Sequence, residues 1–322
     1  MNERLVGTED ECEFIRAHLA FLRRVEPIEL TLGRPASTLS ALLAGDAGPF
    51  DASCFNDLVS DAGERIRAKY GRAFTTIAPD RYFILRPGPE DIGGFHSPSS
   101  VGYSAFWRAA VAVVLRPDAC RRSSVRAIEL ARTYLHDCVH HSTFCTFRVH
   151  RPVAQDPMRA KLLMPVVFRE QIGINFRTAS GVSFSSPQLT WRSPLSINLN
   201  LLMEGVAVRV CANELKASGA RRIAAPRDPG DRAIVDDILD LPLASRQLSE
   251  DWGLDYMCSV TEPTRRFISH WGGTLLLTRI VDAMLSGRLD PLRAHFAAID
   301  GHADAWDRLF RQAAFVRAAG RT

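Results

Sequence analysis

One stretch of this 322-residue chain carries most of the chemical information: Ala131-Arg-Thr-Tyr-Leu-His136-Asp137-Cys138-Val139-His140-His141. It ends a helix predicted from about residue 118 to residue 141. The buried stripe of that helix is predicted to consist of Val125, Ile128, Leu135 and Cys138. His136 and His140 are four residues apart, so their imidazoles leave the same face of the helix about one turn apart. Two nitrogens in that arrangement can bind one zinc ion at about 2.0–2.1 Å.

A second apolar stretch supplies a carboxylate that can complete such a site. Glu204 lies in a helix predicted from about residue 196 to residue 217, within the sequence Leu199-Asn-Leu-Leu-Met-Glu-Gly-Val-Ala-Val208. Burying an unpaired carboxylate costs several kcal/mol, so this group requires a cation nearby. We therefore predict His136, His140 and Glu204 as the ligands of one metal ion. A salt bridge from Glu204 to Arg132 or Arg209 is the alternative.

Asp137 follows the first histidine and can face the open coordination position. A carboxylate there can accept a proton from zinc-bound water, whose pKa falls to about 7. We predict Asp137 as the general base.

These residues resemble a known family. His136-Asp-Cys-Val-His140, followed by Glu204-Gly-Val-Ala207, is similar to the gluzincin branch of zinc metallopeptidases, in which an HExxH helix and a later glutamate hold zinc. The resemblance covers residues 118–285. It implies Zn²⁺ as the cofactor, a zincin-like catalytic domain, and hydrolysis of a peptide or small amide substrate. It also implies a residue that stabilises the oxyanion, for which Tyr256 is the first candidate and His270 the second.

The sequence departs from the family at the base. Asp137 stands where the family has glutamate, which shortens the reach of the carboxylate by roughly 1.5 Å, and a misplacement near 1 Å can cost on the order of a hundredfold in rate. A deeper substrate, a relaying water and weak catalysis all remain open.

Three other functions use the same residues. Leu135-His136-Asp137 with His140 also resembles the HD phosphohydrolases, which need an earlier histidine; His96 is the nearby upstream one, in a Pro/Gly-rich loop. Two histidines and a carboxylate also suit iron-dependent oxygen chemistry. A binding protein that has lost turnover is the third alternative.

The periodicity predicts an α+β protein dominated by helices, with a small β-sheet or hairpin and an N-terminal helical portion at residues 1–100. The zincin-like catalytic domain that the resemblance implies is expected at residues 101–322. Further helices are predicted at residues 10–24, 52–70 and 101–115 and through most of 231–319. The first has an apolar stripe of Phe14, Ala17, His18 and Phe21. Strands are predicted at residues 81–86, 144–149, 165–169 and 172–185.

Composition and charge indicate which classes of partner and which location to expect. The formal net charge is only +4 and the basic pairs are scattered, so no nucleic acid is expected. The longest apolar run, residues 109–115, is too short to span a membrane. The N-terminus has no signal-peptide pattern and the seven cysteines form no CxxC pair, which favours reduced thiols and a cytoplasmic location. Oligomeric state is left open.

Overall fold

The structure is a computed structural model. It describes residues 3–24, 36–45, 51–79, 82–85, 94–96, 101–103, 123–150, 165–171, 175–177, 183–185, 199–220, 263–306 and 308–309, with single positions between 229 and 239. The described helices are α1 (Glu9–Arg24), α2 (Leu39–Leu43), α3 (Ala52–Tyr70), α4 (Ser123–Ser142), α5 (Leu199–Ala217), α6 (residues 263–270), α7 (Gly273–Ser286) and α8 (Asp290–Asp300). The described strands are β1 (Glu3–Val6), β2 (Ala36–Thr38), β3 (Tyr82–Leu85), β4 (Gly94–His96), β5 (Val101–Tyr103), β6 (Cys145–His150), β7 (Val166–Gln171), β8 (Asn175–Arg177) and β9 (Ser183–Ser185). Helices thus dominate an α+β fold, as predicted.

Contacts divide the chain into two compact units. Unit one comprises Met1–Arg24, Thr143–Met203 and Pro263–Thr322, and unit two comprises Val25–Ser142 and Glu204–Glu262. Helices α3 and α4 therefore share a unit although they lie on opposite sides of residue 100. The boundary predicted at residue 100 stays a prediction.

Unit one contains a sheet with the order β1-β6-β7-β8-β9, in which β1 runs parallel to β6 and the other pairs are antiparallel. Helix α1 packs on this sheet through Ile15 and Leu19, which meet the buried side chains of Cys145, Phe147 and Val167. The apolar stripe predicted for α1 is therefore wrong. Phe14 and Phe21 are 38% and 54% exposed, because the sheet receives the aliphatic pair one residue further around the helix.

Unit two contains a sheet with the order β2-β3-β5-β4, in which β3 and β5 are parallel. The helix predicted from residue 101 is wrong at its start, because residues 101–103 form β5, which pairs with β3 on one side and β4 on the other. The rest of that predicted helix lies outside the described residues. Helices α3 and α4 pack together, with the Tyr134 ring 5.8 Å from the Phe55 ring and 4.9 Å from the Tyr82 ring.

The chain after α3 fixes the rotation of α4 about its axis. Tyr134 donates from its hydroxyl to the carbonyl of Ile77 at 2.6 Å, and the N–H of Ile77 donates to Cys138 Sγ at 3.4 Å. The N–H of Thr75 donates to Ser142 Oγ at 2.8 Å. Residues 134, 138 and 142 follow one another at single helical turns, so one face of α4 is tied to residues 75–77. Positions 136 and 140 lie about half a turn away from that face.

None of the helices within the described ranges is long and apolar enough to cross a membrane.

We expect Ser142→Ala to lower the free energy of unfolding by about 1–2 kcal/mol, because the N–H of Thr75 loses its acceptor and Cys138 O loses a donor at 2.7 Å. The control is Ser218→Ala, which removes a hydroxyl that donates only to Leu215 O in the preceding turn. Urea denaturation measures both. A smaller loss in Ser142→Ala than in the control would contradict this account of how α4 is held.

Candidate metal centre

Helix α4 presents two histidines on one face. His136 and His140 are one turn apart, and their rings meet edge to face with centroids 4.5 Å apart. Their Nε2 atoms are 3.1 Å from each other. The side chains are 14% and 12% exposed, so both lie at the edge of the interior.

Helix α5 presents the carboxylate. Most of the residues after Glu204 in this helix are buried, and a helix that is apolar around most of its circumference belongs in a protein interior. Glu204 itself is 19% exposed. Its Oε2 lies 3.3 Å from His136 Nε2, and its Oε1 lies 3.3 Å from His140 Nε2. Each carboxylate oxygen therefore faces one imidazole.

The ligand atoms of His136, His140 and Glu204 lie close enough together to bind one metal ion. Ligand atoms about 2.0–2.1 Å from one tetrahedral zinc ion are separated by about 3.3–3.4 Å from each other. The three separations here are 3.1, 3.3 and 3.3 Å. A charge-assisted N–H···O bond is shorter, at about 2.7–2.9 Å. The two distances of 3.3 Å belong to different carboxylate oxygens and are longer than an optimal ion-pair hydrogen bond. One ligand atom from each of the three residues lies within 4.8 Å of the other two, which is close enough for one metal ion. Among the described residues this is the group of histidine, cysteine and acidic side chains that could hold a metal ion.

The surroundings shift the pKa values of His136 and Glu204 in opposite senses of charge, toward neutral imidazole and ionised carboxylate. Burial lowers the pKa of His136, and the charges of His140 and Arg132 lower it further, which favours neutral imidazole. Burial alone would raise the pKa of Glu204, but the facing histidines hold it well below its ordinary value, so the carboxylate is ionised. A neutral imidazole and an ionised carboxylate are the forms that bind metal.

The outer nitrogen of His136 departs from the usual pattern of metal sites. A metal-binding histidine commonly donates its other N–H to a carboxylate, carbonyl or water. His136 Nδ1 is buried, and within the described part of the chain it has no hydrogen-bond partner. The ring is thus oriented by its packing and by Glu204.

Asp137 points into the interior of unit two. Its side chain is buried, and Tyr82 donates to its Oδ2 at 2.6 Å. Asp137 is not part of the group of donors formed by His136, His140 and Glu204. The arrangement expected for an HD phosphohydrolase, with adjacent histidine and aspartate on the metal, is therefore not the one that the described residues form. The loop predicted around His96 is wrong at this point, because Gly94–His96 form β4, which pairs with β5; the His96 side chain lies outside the described residues.

Of the two candidates for oxyanion stabilisation, His270 is the one within the described residues. Tyr256 lies outside the described residues. His270 is exposed at the end of α6, with its ring edge-on to Trp271 at 5.2 Å, and it belongs to unit one. Both roles stay predictions.

Sequence reasoning missed Tyr82. It opens β3, is fully buried, and is separated from Asp137 by 55 residues. The strand pattern at residues 81–86 predicted the element, but no sequence signal links its tyrosine to an aspartate on a distant helix.

Comparison with protein families, characterised proteins and solved structures finds no match to this chain. The description of the site therefore rests on its own geometry.

We expect purified wild-type protein to bind one Zn²⁺ per chain. His140→Ala and Glu204→Gln should each weaken binding by more than about a hundredfold, which exceeds the 10–100-fold loss typical of an outer-shell partner. Isothermal titration of the apoprotein measures the affinity. Thermal melting adds a second readout, because zinc at a hundred times Kd should stabilise the wild type by about 2.7 kcal/mol and stabilise the variants much less.

The matched control is His141→Ala, which removes the adjacent histidine outside the donor group. It should bind zinc as the wild type does. Equal zinc binding in His140→Ala, Glu204→Gln and the wild type would rule the site out.

Proposed function

We propose that this chain is a mononuclear zinc hydrolase of peptide or amide bonds, with a zincin-like arrangement in unit two. The observation that carries the proposal is the spacing of His136 Nε2, His140 Nε2 and the Glu204 carboxylate, 3.1–3.3 Å from one another. The gluzincin pattern of the sequence supports the same assignment.

The number of ligands favours a catalytic over a structural zinc. Structural sites usually have four protein ligands, whereas catalytic sites have three and leave a position for water. Three donors converge here, and each keeps 12–19% of its side chain exposed. A zinc ion held by them would lower the pKa of a coordinated water to about 7 and so supply a nucleophile at neutral pH.

In this proposal the protein residues have separate roles. His136, His140 and Glu204 hold the ion, and the ionised Glu204 offsets part of its charge in a partly buried place. Asp137 is the proposed general base, which would accept a proton from the attacking water and return it to the leaving amine. The oxyanion-stabilising role that the resemblance implies stays with Tyr256 as the first candidate, since His270 belongs to unit one.

The same donor set is compatible with two metals, zinc and iron. Two imidazoles and a carboxylate also suit ferrous iron and oxygen chemistry. Elemental analysis of protein purified without added metal separates the two. Zinc in excess of iron supports the hydrolase.

We expect zinc-loaded protein to cleave members of a pool of internally quenched peptides, and Asp137→Asn to keep its zinc while losing most of that cleavage. General acid–base catalysis typically contributes about 10²–10⁴-fold, so the loss should fall in that range. Fluorescence gives the rate and elemental analysis gives the zinc content.

His140→Ala provides the background rate for this assay. Wild-type cleavage no faster than that background would contradict the hydrolase. Undiminished turnover in Asp137→Asn would contradict only the base assignment.

A further inference from the structure

We propose that this chain forms a two-fold symmetric dimer in which the outer face of helix α1 packs antiparallel against the same face of a second copy. The observation that carries the proposal is an exposed stripe of Phe14, Ala17 and Phe21 on a helix whose other apolar face is already buried on a sheet. The stripe belongs to unit one, so the inference does not depend on the proposed hydrolase function.

Helix α1 has two apolar faces, and its own sheet covers only one of them. Ile15 and Leu19 are buried against that sheet. Phe14 and Phe21 are 38% and 54% exposed, and Ala17 between them is exposed as well. This second stripe lies about 150° around the helix from the first, so it faces away from the sheet. The outer face of a helix on a sheet is normally polar, and two aromatic rings there indicate a contact surface.

The stripe is part of a helix that is already fixed in place. The N–H of Glu11 donates to Thr8 Oγ1 at 3.3 Å, and the N–H of Thr8 donates to Glu11 Oε2 at 3.0 Å. This reciprocal cap holds the first turn, and the sheet holds the following turns through Ile15 and Leu19. Association therefore orders little backbone, which lowers the cost of forming the contact.

The charges along α1 favour a second copy in the antiparallel orientation. All the acidic residues of the helix lie at positions 9–13, and its arginines are at positions 16, 23 and 24. Two antiparallel copies place the acidic half of each helix beside the arginine half of the other, and they also oppose the two helix dipoles. A parallel pair would place acid beside acid.

The spacing of the stripe is also self-complementary. Phe14, Ala17 and Phe21 follow one another at three and four residues, which is the spacing of a coiled-coil seam. With the two-fold axis between positions 17 and 18, Phe14 lies against the partner's Phe21 and Phe21 against the partner's Phe14. The small side chain of Ala17 at the crossing lets the helices approach closely. Such a contact closes on itself, so it produces a dimer and not a chain of copies.

The size of the contact predicts its strength. One pair of helices buries less than the roughly 1,200 Å² at which stable interfaces begin, so the dimer should be a weak one that dissociates at micromolar concentrations.

The first test compares Phe21→Ala with Leu275→Ala by sedimentation velocity of the full chain. Leu275 on α7 is a matched control, because it is 56% exposed and belongs to the same unit. The wild type should pass from monomer to dimer as its concentration rises through the micromolar range. Phe21→Ala should raise Kd by about ten- to a hundredfold, because the residue occurs twice in the contact, whereas Leu275→Ala should change it by less than about twofold. Circular dichroism should be the same for all three proteins.

The second test fixes the orientation by cross-linking in air on a non-reducing gel, with the wild type as the background. Ala17→Cys places two thiols beside the two-fold axis and should give a band of twice the chain mass. Asp10→Cys, also exposed, should give none, because antiparallel copies place its two thiols about 20 Å apart along the axis, beyond the roughly 7 Å limit between the Cα atoms of a disulfide.

Four results would overturn the proposal. They are a monomer at every concentration, a dimer that Phe21→Ala leaves intact, an equal weakening by Leu275→Ala, and cross-linking of Asp10→Cys as efficient as that of Ala17→Cys, which is the pattern of a parallel pair.

Discussion

The Glu204 carboxylate faces two imidazole nitrogens across the interface of α4 and α5, with a separation of 3.3 Å to each. Three electron-pair donors held this close in a partly buried place repel one another unless a proton or a cation lies between them. The pKa values shift in the corresponding directions, with that of His136 lowered by burial and that of Glu204 held low by the histidines. The group could hold a metal ion, and the surrounding fold keeps its three side chains close together.

Helix α4 is the element that connects this group to the rest of unit two. One face carries His136 and His140, and the face about half a turn away is tied by Tyr134, Cys138 and Ser142 to residues 75–77. Asp137 lies between these faces and reaches Tyr82 on β3. Any rotation of α4 that moved the histidines would also break these bonds. The two histidines and Asp137 are thus held in place by contacts of the same helix.

The sequence predicts much of the site because its key residues lie in two short helical segments. Spacing alone places His136 and His140 on one face, and the apolar surroundings of Glu204 mark it as a carboxylate that needs a cation. Helix α3 begins and ends where predicted because Asp51 caps its N-terminus through the N–H of Cys54 and Gly71, at φ 107°, ends it. These signals are local, so a single sequence can reveal them.

Other features depend on contacts between distant segments. The aromatic and aliphatic faces of α1 are equally apolar, and only its packing on β6 decides that Ile15 and Leu19 are buried. Residues 101–103 belong to a strand because β3 and β4 pair with them on both sides, which local propensity does not encode. The bond from Tyr82 to Asp137 joins two residues 55 apart and likewise follows only from the tertiary structure.

The most direct measurement of the central claim is anomalous diffraction at the zinc edge from crystals of the zinc-loaded protein. The account predicts one peak about 2.0–2.1 Å from the Nε2 atoms of His136 and His140 and within bonding distance of Glu204. A zinc peak elsewhere, or none between these side chains, would contradict it.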